Sequence, residues 1–320
     1  IDYLDEIISS KNQKMPYIIK WLIYEYKKIF KVFTIKPVSG NDVIIIPRYK
    51  NNEKTVKIIP DLVNILYDRN CDTIVLSNSL KNINGVKECI NKENIKILDG
   101  TFLKENLLLE IVIYVANSMN ISAKDVDVTI LANDNKFDYM KNIINIAENI
   151  KNIKIITNNV ERFKNVEQKI QEILGILIRI TNNKRKGLAN SQIIINLDFP
   201  EELINKYAIN PEAIIVNIGQ NVKIKSKKFK GINANNIKIS MKTNYNTEFE
   251  QNKIFNDFEE AELYEASIKN MSFEEIKKKF QKDNVNVTSL IGNNGSINKK
   301  EFEEKCKFYV KSIDKMLILN

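Results

Sequence analysis

The side chains of this sequence that could do chemistry at neutral pH are lysines, tyrosines and carboxylates, because its 320 residues contain no histidine. Histidine is the usual general base, the partner of catalytic serines and cysteines, and the commonest ligand of zinc, copper and haem iron. The three cysteines, Cys71, Cys89 and Cys306, are widely spaced and form no C-x-x-C pair, which disfavours a disulfide framework and a zinc site. We therefore expect no metal site.

A cluster of cations follows one apolar run. Residues 182–187 read Asn-Asn-Lys-Arg-Lys-Gly and come directly after residues 176–181, which favour a strand. Ligands of open parallel sheets bind at the carboxyl ends of the strands, so the three cations Lys184, Arg185 and Lys186 could hold an anionic group. The alternative is a solvated turn, which is the usual behaviour of a charge run.

A second basic segment covers residues 223–230 and contains five lysines, the first three of which alternate with Ile224 and Ser226. We interpret it as one face of a strand, whose charges protect an exposed sheet edge. Phe229 is its only aromatic residue, so a base-stacking surface is poorly supported. The net charge of +9 comes from 49 Lys and Arg against 40 Asp and Glu. Because this charge is spread along the chain, it is weak support for nucleic-acid binding.

Helices and strands alternate along the part of the chain that must position these residues. Five apolar runs predict strands, at 126–131, 153–157, 176–181, 192–197 and 213–218, with helices at 137–150 and 160–174. Continuous apolar strands with short connections indicate a parallel sheet covered on both faces.

A smaller set of elements precedes this sheet. We predict helices at 15–30, 56–67 and 86–90, strands at 32–35, 43–47, 73–77 and 95–98, and an apolar helix at 101–119 that bridges two domains. After an irregular or hairpin segment at 222–240, the chain is predicted to be helical at 257–270, 272–281 and 301–317.

Three local motifs carry a resemblance to a known group of proteins. Asp99-Gly100 precedes the predicted bridging helix, residues 158–163 read Asn-Asn-Val-Glu-Arg-Phe after the second strand, and residues 193–196 read Ile-Ile-Ile-Asn in the fourth strand. From Ile95 onward the chain resembles the two-domain group of shikimate dehydrogenase and glutamyl-tRNA reductase. In that group an α/β substrate domain is joined by a helix to a Rossmann domain.

The resemblance implies an α/β fold with three segments. Residues 1–119 would form an N-terminal α/β domain that ends in the bridging helix. Residues 120–245 would form a degenerate Rossmann-like domain with a parallel sheet. Residues 246–320 would form a C-terminal helical segment that packs back on the cleft or on the N-terminal domain.

The resemblance also suggests a catalytic pair. Shikimate dehydrogenases use a lysine and an aspartate, and the positions here that match best are Lys36, in Thr-Ile-Lys-Pro, and Asp99. The asparagine and the spacing of the family's lysine segment are missing. Exposed residues at strand ends are the alternative interpretation, and the sequence leaves open whether the protein is an enzyme.

The turn after the first strand of the predicted Rossmann-like sheet departs from that family. Residues 131–137 read Leu-Ala-Asn-Asp-Asn-Lys-Phe, without the glycines that let backbone N–H groups approach a pyrophosphate. Asp134 would also place a carboxylate near the start of the next helix. We therefore expect no bound cofactor.

A dinucleotide bound in spite of this turn would be NADP rather than NAD. Asn133 lies in the turn itself. Asn158 and Asn159 replace the acidic residue that would accept the ribose hydroxyls, and Arg162 could meet a 2′-phosphate. The alternative is that these are loop residues and a solvated charge.

Taken together, the sequence predicts a Rossmann-like protein without the usual dinucleotide binding, which binds a small molecule or a protein partner between its domains. The first alternative is an NADP-dependent oxidoreductase of the shikimate dehydrogenase-like type, and the second is a basic nucleic-acid-binding module. No run of about 18 apolar residues occurs, and the first residues lack the order of a signal peptide. We therefore expect a cytoplasmic protein with no membrane partner.

Overall fold

The computed structural model describes residues 25–26, 29, 33–38, 41–47, 49, 51–133, 137–150, 152–242, 257–297 and 299–305. These residues form two compact units. The first contains the described residues of Ile1–Phe102 and Lys242–Asn270, and the second contains those of Leu103–Met241 and Met271–Asn320. Each unit is therefore built from two separate stretches of the chain.

The described strands are β1 (Thr34–Val38), β2 (Asn41–Ile45), β3 (Thr73–Val75), β4 (Lys96–Leu98), β5 (Asp127–Leu131), β6 (Asn152–Ile156), β7 (Arg179–Thr181), β8 (Ile193–Asn196), β9 (Ile214–Asn217), β10 (Ile232–Ser240), β11 (Asn286–Gly292) and β12 (Gly295–Ser296). The described α-helices are α1 (Asn52–Lys57), α2 (Ile59–Asp68), α3 (Asn78–Lys81), α4 (Val86–Lys92), α5 (Thr101–Asn106), α6 (Leu108–Ser118), α7 (Phe137–Asn149), α8 (Lys164–Leu174), α9 (Lys184–Ala189), α10 (Glu201–Asn205), α11 (Glu260–Ile268), α12 (Phe273–Lys282) and α13 (Lys299–Lys305).

The second unit is built on an eight-stranded sheet with the order β12-β11-β10-β9-β8-β5-β6-β7. Neighbouring strands from β10 to β7 are parallel, whereas β11 is antiparallel to β10 and to β12. Numbered in chain order, the parallel strands read 3-2-1-4-5-6, which is the order of the Rossmann fold. The predicted fold class, an α/β protein with a Rossmann-like parallel sheet, is confirmed.

This strand order creates a switch point between β5 and β8. The chain adds β6 and β7 on one side of β5, and then crosses back to add β8, β9 and β10 on the other side. The connections therefore leave the carboxyl ends of β5 and β8 in opposite directions, which opens a crevice at that edge of the sheet.

Burial explains why these segments form the central strands. All residues of β8 and β9 are buried, and β5 is buried except for Asp127. Strands covered on both faces are near-continuous apolar runs rather than alternating ones. The isoleucine runs of β8 and β9 meet that requirement, and β-branched side chains pack well on a pleated surface.

The first unit contains a smaller parallel pair, β3 and β4, and an antiparallel hairpin, β1 and β2. Its core is formed by apolar side chains of α2 and α4 with residues that flank the short strands, including Ile59, Leu62, Leu66, Val86 and Ile90. The sequence predicted the alternation of helix and strand here. The N-terminal helix predicted at 15–30 lies outside the described residues except for Glu25, Tyr26 and Ile29, which the structure describes as helical.

Besides its helices, the C-terminal segment contains two strands that were not predicted, since β11 and β12 add to the sheet of the second unit. Strand β11 reads Asn-Val-Thr-Ser-Leu-Ile-Gly, in which exposed and buried residues alternate at first. Such a pattern is typical of a half-buried strand, whereas the prediction relied on continuous apolar runs. The turn predicted at 292–295 is confirmed as the connection between β11 and β12.

Two further segments also differ from their predictions. The apolar helix predicted at 101–119 is two helices, α5 and α6, which are separated at Leu107. The lysine-rich segment at 223–230 is not a strand. It is an extended connection held by α10, since Lys225 Nζ lies 2.8 Å from Glu201 Oε1 and the Lys225 N–H donates to Asn205 Oδ1 at 2.7 Å.

In the part of the chain that the structure describes, no helix combines the length and the apolar character needed to cross a bilayer.

The pairing of β9 with β10 predicts the effect of a substitution at Gly231. A Cβ atom at Gly231 would lie 2.0 Å from the carbonyl oxygen of Ala213, so the backbone would have to move. We expect Gly231→Ala to lower the free energy of unfolding by about 2 kcal/mol or more, measured by urea denaturation.

Gly175→Ala is the matched control for this experiment. Gly175 has a φ of +66° but nothing within 4 Å of a built Cβ, so the substitution costs only about 1 kcal/mol of backbone strain. A loss at Gly231 no larger than the loss at Gly175 would contradict the close approach of the two chain segments.

Candidate functional site

The carboxyl edge of the parallel sheet is the candidate site. Four polar residues follow four neighbouring strands there: Asp198 after β8, Asn133 after β5, Asn158 after β6 and Lys184 after β7. We call these four residues the carboxyl-edge site. All lie in the second unit, at the edge where open α/β sheets bind their ligands.

Three of these residues form a hydrogen-bonded bridge across the switch point. The N–H of Asn133 donates to Asp198 Oδ1 at 2.7 Å, and Asn133 Oδ1 accepts the N–H of Asn158 at 3.1 Å. Backbone bonds continue the strand pairing just beside it, from the Leu197 N–H to the Leu131 oxygen and from the Ala132 N–H to the Ile156 oxygen. We call Asp198, Asn133 and Asn158 the switch-point bridge.

The switch-point bridge does not fit a pyrophosphate in the usual Rossmann position. In dinucleotide-binding proteins, amides that leave the first strand are directed at phosphate oxygens. Here the Asn133 amide already donates to the Asp198 carboxylate, so a phosphate would have to displace a negative charge and remain beside it. The rest of the turn, residues 134–136 with the predicted Asp134, lies outside the described residues.

Buried asparagines support the edge beside the bridge. Asn196 and Asn217, at the ends of β8 and β9, are each 1% exposed, and Asn196 Nδ2 donates to Asn217 Oδ1 at 2.9 Å. Asn196 Oδ1 accepts the Phe199 N–H, and Asn217 Nδ2 donates to Asn233 Oδ1 and Asn235 Oδ1. Because fully satisfied buried networks are rigid, this network fixes the loop that carries Asp198.

Lys184 is the first residue of α9 and is only 8% exposed. Its Nζ lies 3.4 Å from the carbonyl oxygen of Asn182, and burial lowers the pKa of its amine. Gly187 and Leu188, one turn later on the same face of α9, are also buried. Lys184 therefore points toward the sheet, unlike its neighbours Arg185 and Lys186, which are exposed.

The other predicted cofactor ligands lie along the same edge. Asn159 is exposed, and its N–H donates to Thr157 Oγ1 at 3.1 Å. Arg162 is exposed in the short 3-10 turn Val160–Phe163 that follows it. Arg185 is exposed on α9. The structure thus brings Asn133 and Asn158 into direct contact, whereas the cofactor role of all six residues remains a prediction.

The predicted catalytic residues lie at different sheets of the first unit, Lys36 within β1 and Asp99 directly after β4. Lys36 is in β1, where its backbone pairs with Val43, and its side chain lies outside the described residues. Asp99 follows β4, and its Oδ1 accepts the N–H of Thr101 at 3.0 Å. This bond caps the start of α5, and a catalytic role for the pair remains a prediction.

Sequence reasoning missed Asp198 as a residue of the site and Asn217 as one of the buried residues that support it. Asp198 directly follows a predicted strand, in Asn-Leu-Asp-Phe, and Asn217 lies near the end of another, in Val-Asn. A polar residue at the carboxyl end of a predicted strand is the pattern that could have identified them. Within the described ranges, no group of three or more Cys, Asp and Glu side chains is arranged to hold a metal ion.

The first unit contains its own buried ion pair, which has a structural role. Lys81 of α3 pairs with Glu262 of α11, and both side chains are largely buried. Burial is the main cause that raises the pKa of Glu262, and Lys81 opposes it. Asp257 accepts bonds from Ser79 in the same contact. These bonds hold α11 against α3.

No family model matches the sequence, and no curated protein is significantly similar to it. Among solved structures, the chain is similar to the A chain of dipicolinate synthase from Bacillus subtilis, with 15% identity and a TM-score of 0.34 over 51% of this chain and 55% of that one. A shikimate dehydrogenase in complex with NADP+ gives 15% identity and a TM-score of 0.29 over 43% and 50% of the two chains. L-tryptophan dehydrogenase from Nostoc punctiforme gives 12% and 0.31 over 75% and 66%.

These comparisons concern the fold alone. The chain spans less than two thirds of the length of each of these proteins. The Rossmann-like sheet that the predicted resemblance implied is confirmed by the strand order 3-2-1-4-5-6.

The asparagine network predicts a pH-dependent effect of Asn217→Asp. The new carboxylate would be buried against three acceptors, the side-chain oxygens of Asn233 and Asn235 and the Ala234 carbonyl. We expect a loss of about 3 kcal/mol or more of unfolding free energy near pH 7. Because the folded pKa of such a group lies above its unfolded value of about 3.9, the loss grows as the pH rises from acid to neutral.

Urea denaturation near pH 4 and near pH 7 measures this effect. Asn217→Ala is the control, since it removes the same bonds without adding a charge and its cost should not depend on pH. A pH-independent cost for Asn217→Asp would contradict the buried network.

Burial of Lys184 predicts that its removal stabilises the protein. Lys184→Met takes away a buried cation and keeps most of its volume, so we expect a gain of about 1 kcal/mol near pH 7. The folded pKa is lowered, so the unfolded chain binds more protons, and the stability of the wild type rises with pH towards the normal lysine pKa of about 10.4.

The measurement is the free energy of unfolding from neutral pH to about pH 10. This range lies below the normal lysine pKa, where the lowered pKa of Lys184 makes stability depend on pH. The advantage of Lys184→Met should shrink as the pH rises. Lys186→Met, which removes an exposed lysine from the same helix, should change little. If Lys184→Met were less stable than the wild type near pH 7, the buried amine would not lower the free energy of unfolding, and the prediction would be wrong.

Proposed function

We propose that this protein binds a small molecule at the carboxyl-edge site without the usual dinucleotide chemistry of its fold. The observation that carries the proposal is the switch-point bridge, in which Asp198 takes the Asn133 amide at 2.7 Å. In this bond a carboxylate of the protein, and not a phosphate of a ligand, joins the carboxyl ends of β5 and β8.

The remaining polar groups of the edge support binding of a ligand. Asp198 and Asn133 are half-buried and Asn158 is exposed, so each has some surface toward solvent. The buried asparagines Asn196 and Asn217 hold this edge from behind. Small-molecule sites combine a rigid support with a few placed polar groups, and this edge has both.

The second candidate function is an NADP-dependent oxidoreductase of the shikimate dehydrogenase-like type. It is favoured by the strand order 3-2-1-4-5-6 and by Arg162 in the turn after β6, the position at which such a fold holds a 2′-phosphate. It would require the switch-point bridge to open, since the bond between Asp198 and Asn133 occupies the amide that a pyrophosphate would use.

Binding measurements separate the two functions. We expect NADP+, NADPH, NAD+ and NADH to leave the unfolding temperature unchanged, and at least one compound in a panel of small acids, phosphate esters, amines and polyols to raise it. A ligand at about a hundred times its Kd adds about 2.7 kcal/mol of stability. Saturable binding of any of the four dinucleotides to the wild type would contradict the proposal.

Asp198 provides matched variants for the same screen. Asp198→Asn keeps an acceptor for the Asn133 amide and loses the charge, whereas Asp198→Ala loses both. A hydrogen bond to a charged group is worth about 1.5–3 kcal/mol against about 1 for a neutral one. Asp198→Asn should therefore cost less stability than Asp198→Ala, and a ligand that depends on the carboxylate should bind neither variant well.

A further inference from the structure

Lys184 is a buried cation without a counter-ion in the described part of the chain. Lysines are rarely buried unless they are paired. Two other partly buried lysines are paired in this way, since Lys81 contacts Glu262 and Lys277 Nζ lies 3.0 Å from Glu110 Oε1. Lys184 is 8% exposed, yet its only close polar partner among the described residues is the Asn182 carbonyl at 3.4 Å.

Packing holds this amine in place. One turn after Lys184, a Cβ atom at Gly187 would lie 2.5 Å from Ile156 Cδ1, so α9 packs closely against the end of β6 and a side chain at this position would require Ile156 to move. Leu188 is completely buried on the same face. Because α9 is seated this tightly, its sheet-facing lysine stays at the carboxyl ends of β6 and β7.

We propose that Lys184 holds the anionic group, a carboxylate or a phosphate, of the small molecule that the carboxyl-edge site binds. This inference rests on the proposed function and makes the ligand a small carboxylic acid or phosphate monoester. The ligand supplies the negative charge that the described residues around Lys184 do not. Asp198 repels an anion at the β5 and β8 end of the edge, so the charged end of the ligand lies at the β6 and β7 end.

The test compares inorganic phosphate and malonate as probes on three proteins at constant ionic strength. The proteins are the wild type, Lys184→Met and Lys186→Met, and the readout is the unfolding temperature against probe concentration near pH 7.5. We expect saturable stabilisation of the wild type and of Lys186→Met by at least one probe, and an apparent Kd at least tenfold weaker for Lys184→Met. The stronger probe tells whether the ligand is a phosphate ester or a carboxylic acid.

General salt effects on stability act on all three proteins alike. An equal response of Lys184→Met and wild type would therefore overturn the inference, and so would the absence of a saturable response to both probes.

A measurement on the wild type makes the test independent of how Lys184→Met folds. The side-chain resonances of Lys184, assigned by comparison with Lys184→Arg, report the pKa of its amine during a pH titration. A bound anion favours the charged amine, so the stronger probe should raise this pKa. An unchanged pKa at a saturating probe concentration would overturn the inference.

The two proposals can fail separately. Dinucleotide binding to the wild type would defeat the proposed function while the phosphate and malonate results stood. A small-molecule ligand that binds Lys184→Met as tightly as the wild type would defeat the inference about Lys184 and leave the proposed function intact.

Discussion

The hydrogen bond from the Asn133 amide to Asp198 is the interaction on which the account of this site depends. It joins the exits of β5 and β8, the two strands that flank the switch point. In a Rossmann sheet that binds a dinucleotide, the amides at this exit and the next helix attract phosphate oxygens. A carboxylate in that position satisfies the amide within the chain and makes the crevice unfavourable for phosphate.

The rest of the second unit supports this arrangement. Burial on both faces of the sheet fixes the positions of β5, β8 and β9, and β8 and β9 are rich in isoleucine. The side-chain amides of Asn196 and Asn217 join the carboxyl ends of β8 and β9 to each other and to the first residues of β10. At the other end of the edge, Gly187 packs against Ile156, and Lys184 on the same face of α9 is buried beside the sheet. The edge therefore has a carboxylate over β8 and β5 and a buried amine over β6 and β7.

Much of this fold could be predicted from the sequence, because strands buried on both faces are continuous apolar runs. The isoleucines of β8 and β9 and the apolar residues of β5 and β6 were read in this way. Strand β11 was missed because its polar residues alternate with apolar ones, and the break at Leu107 was missed because α5 and α6 share one apolar pattern. The lysines at 223–230 follow a pattern that predicts a strand, but contacts with Glu201 and Asn205, which no local pattern encodes, hold this segment in a loop.

The site was predicted only in part, since the rule about carboxyl strand ends finds residues but not their partners. It pointed to Asn133, Asn158 and Lys184. It did not show that Asn133 bonds to Asp198, 65 positions along the chain, or that Lys184 is buried while Arg185 is exposed. Both facts depend on strand order and on how closely α9 packs, which a single sequence does not specify.

Equilibrium dialysis of the wild-type protein against NADPH tests the central claim most directly. The account predicts equal concentrations of NADPH on both sides of the membrane, because Asp198 holds the amide that a pyrophosphate would need. Saturable retention of NADPH at one site per chain, lost on competition with NADP+, would contradict it.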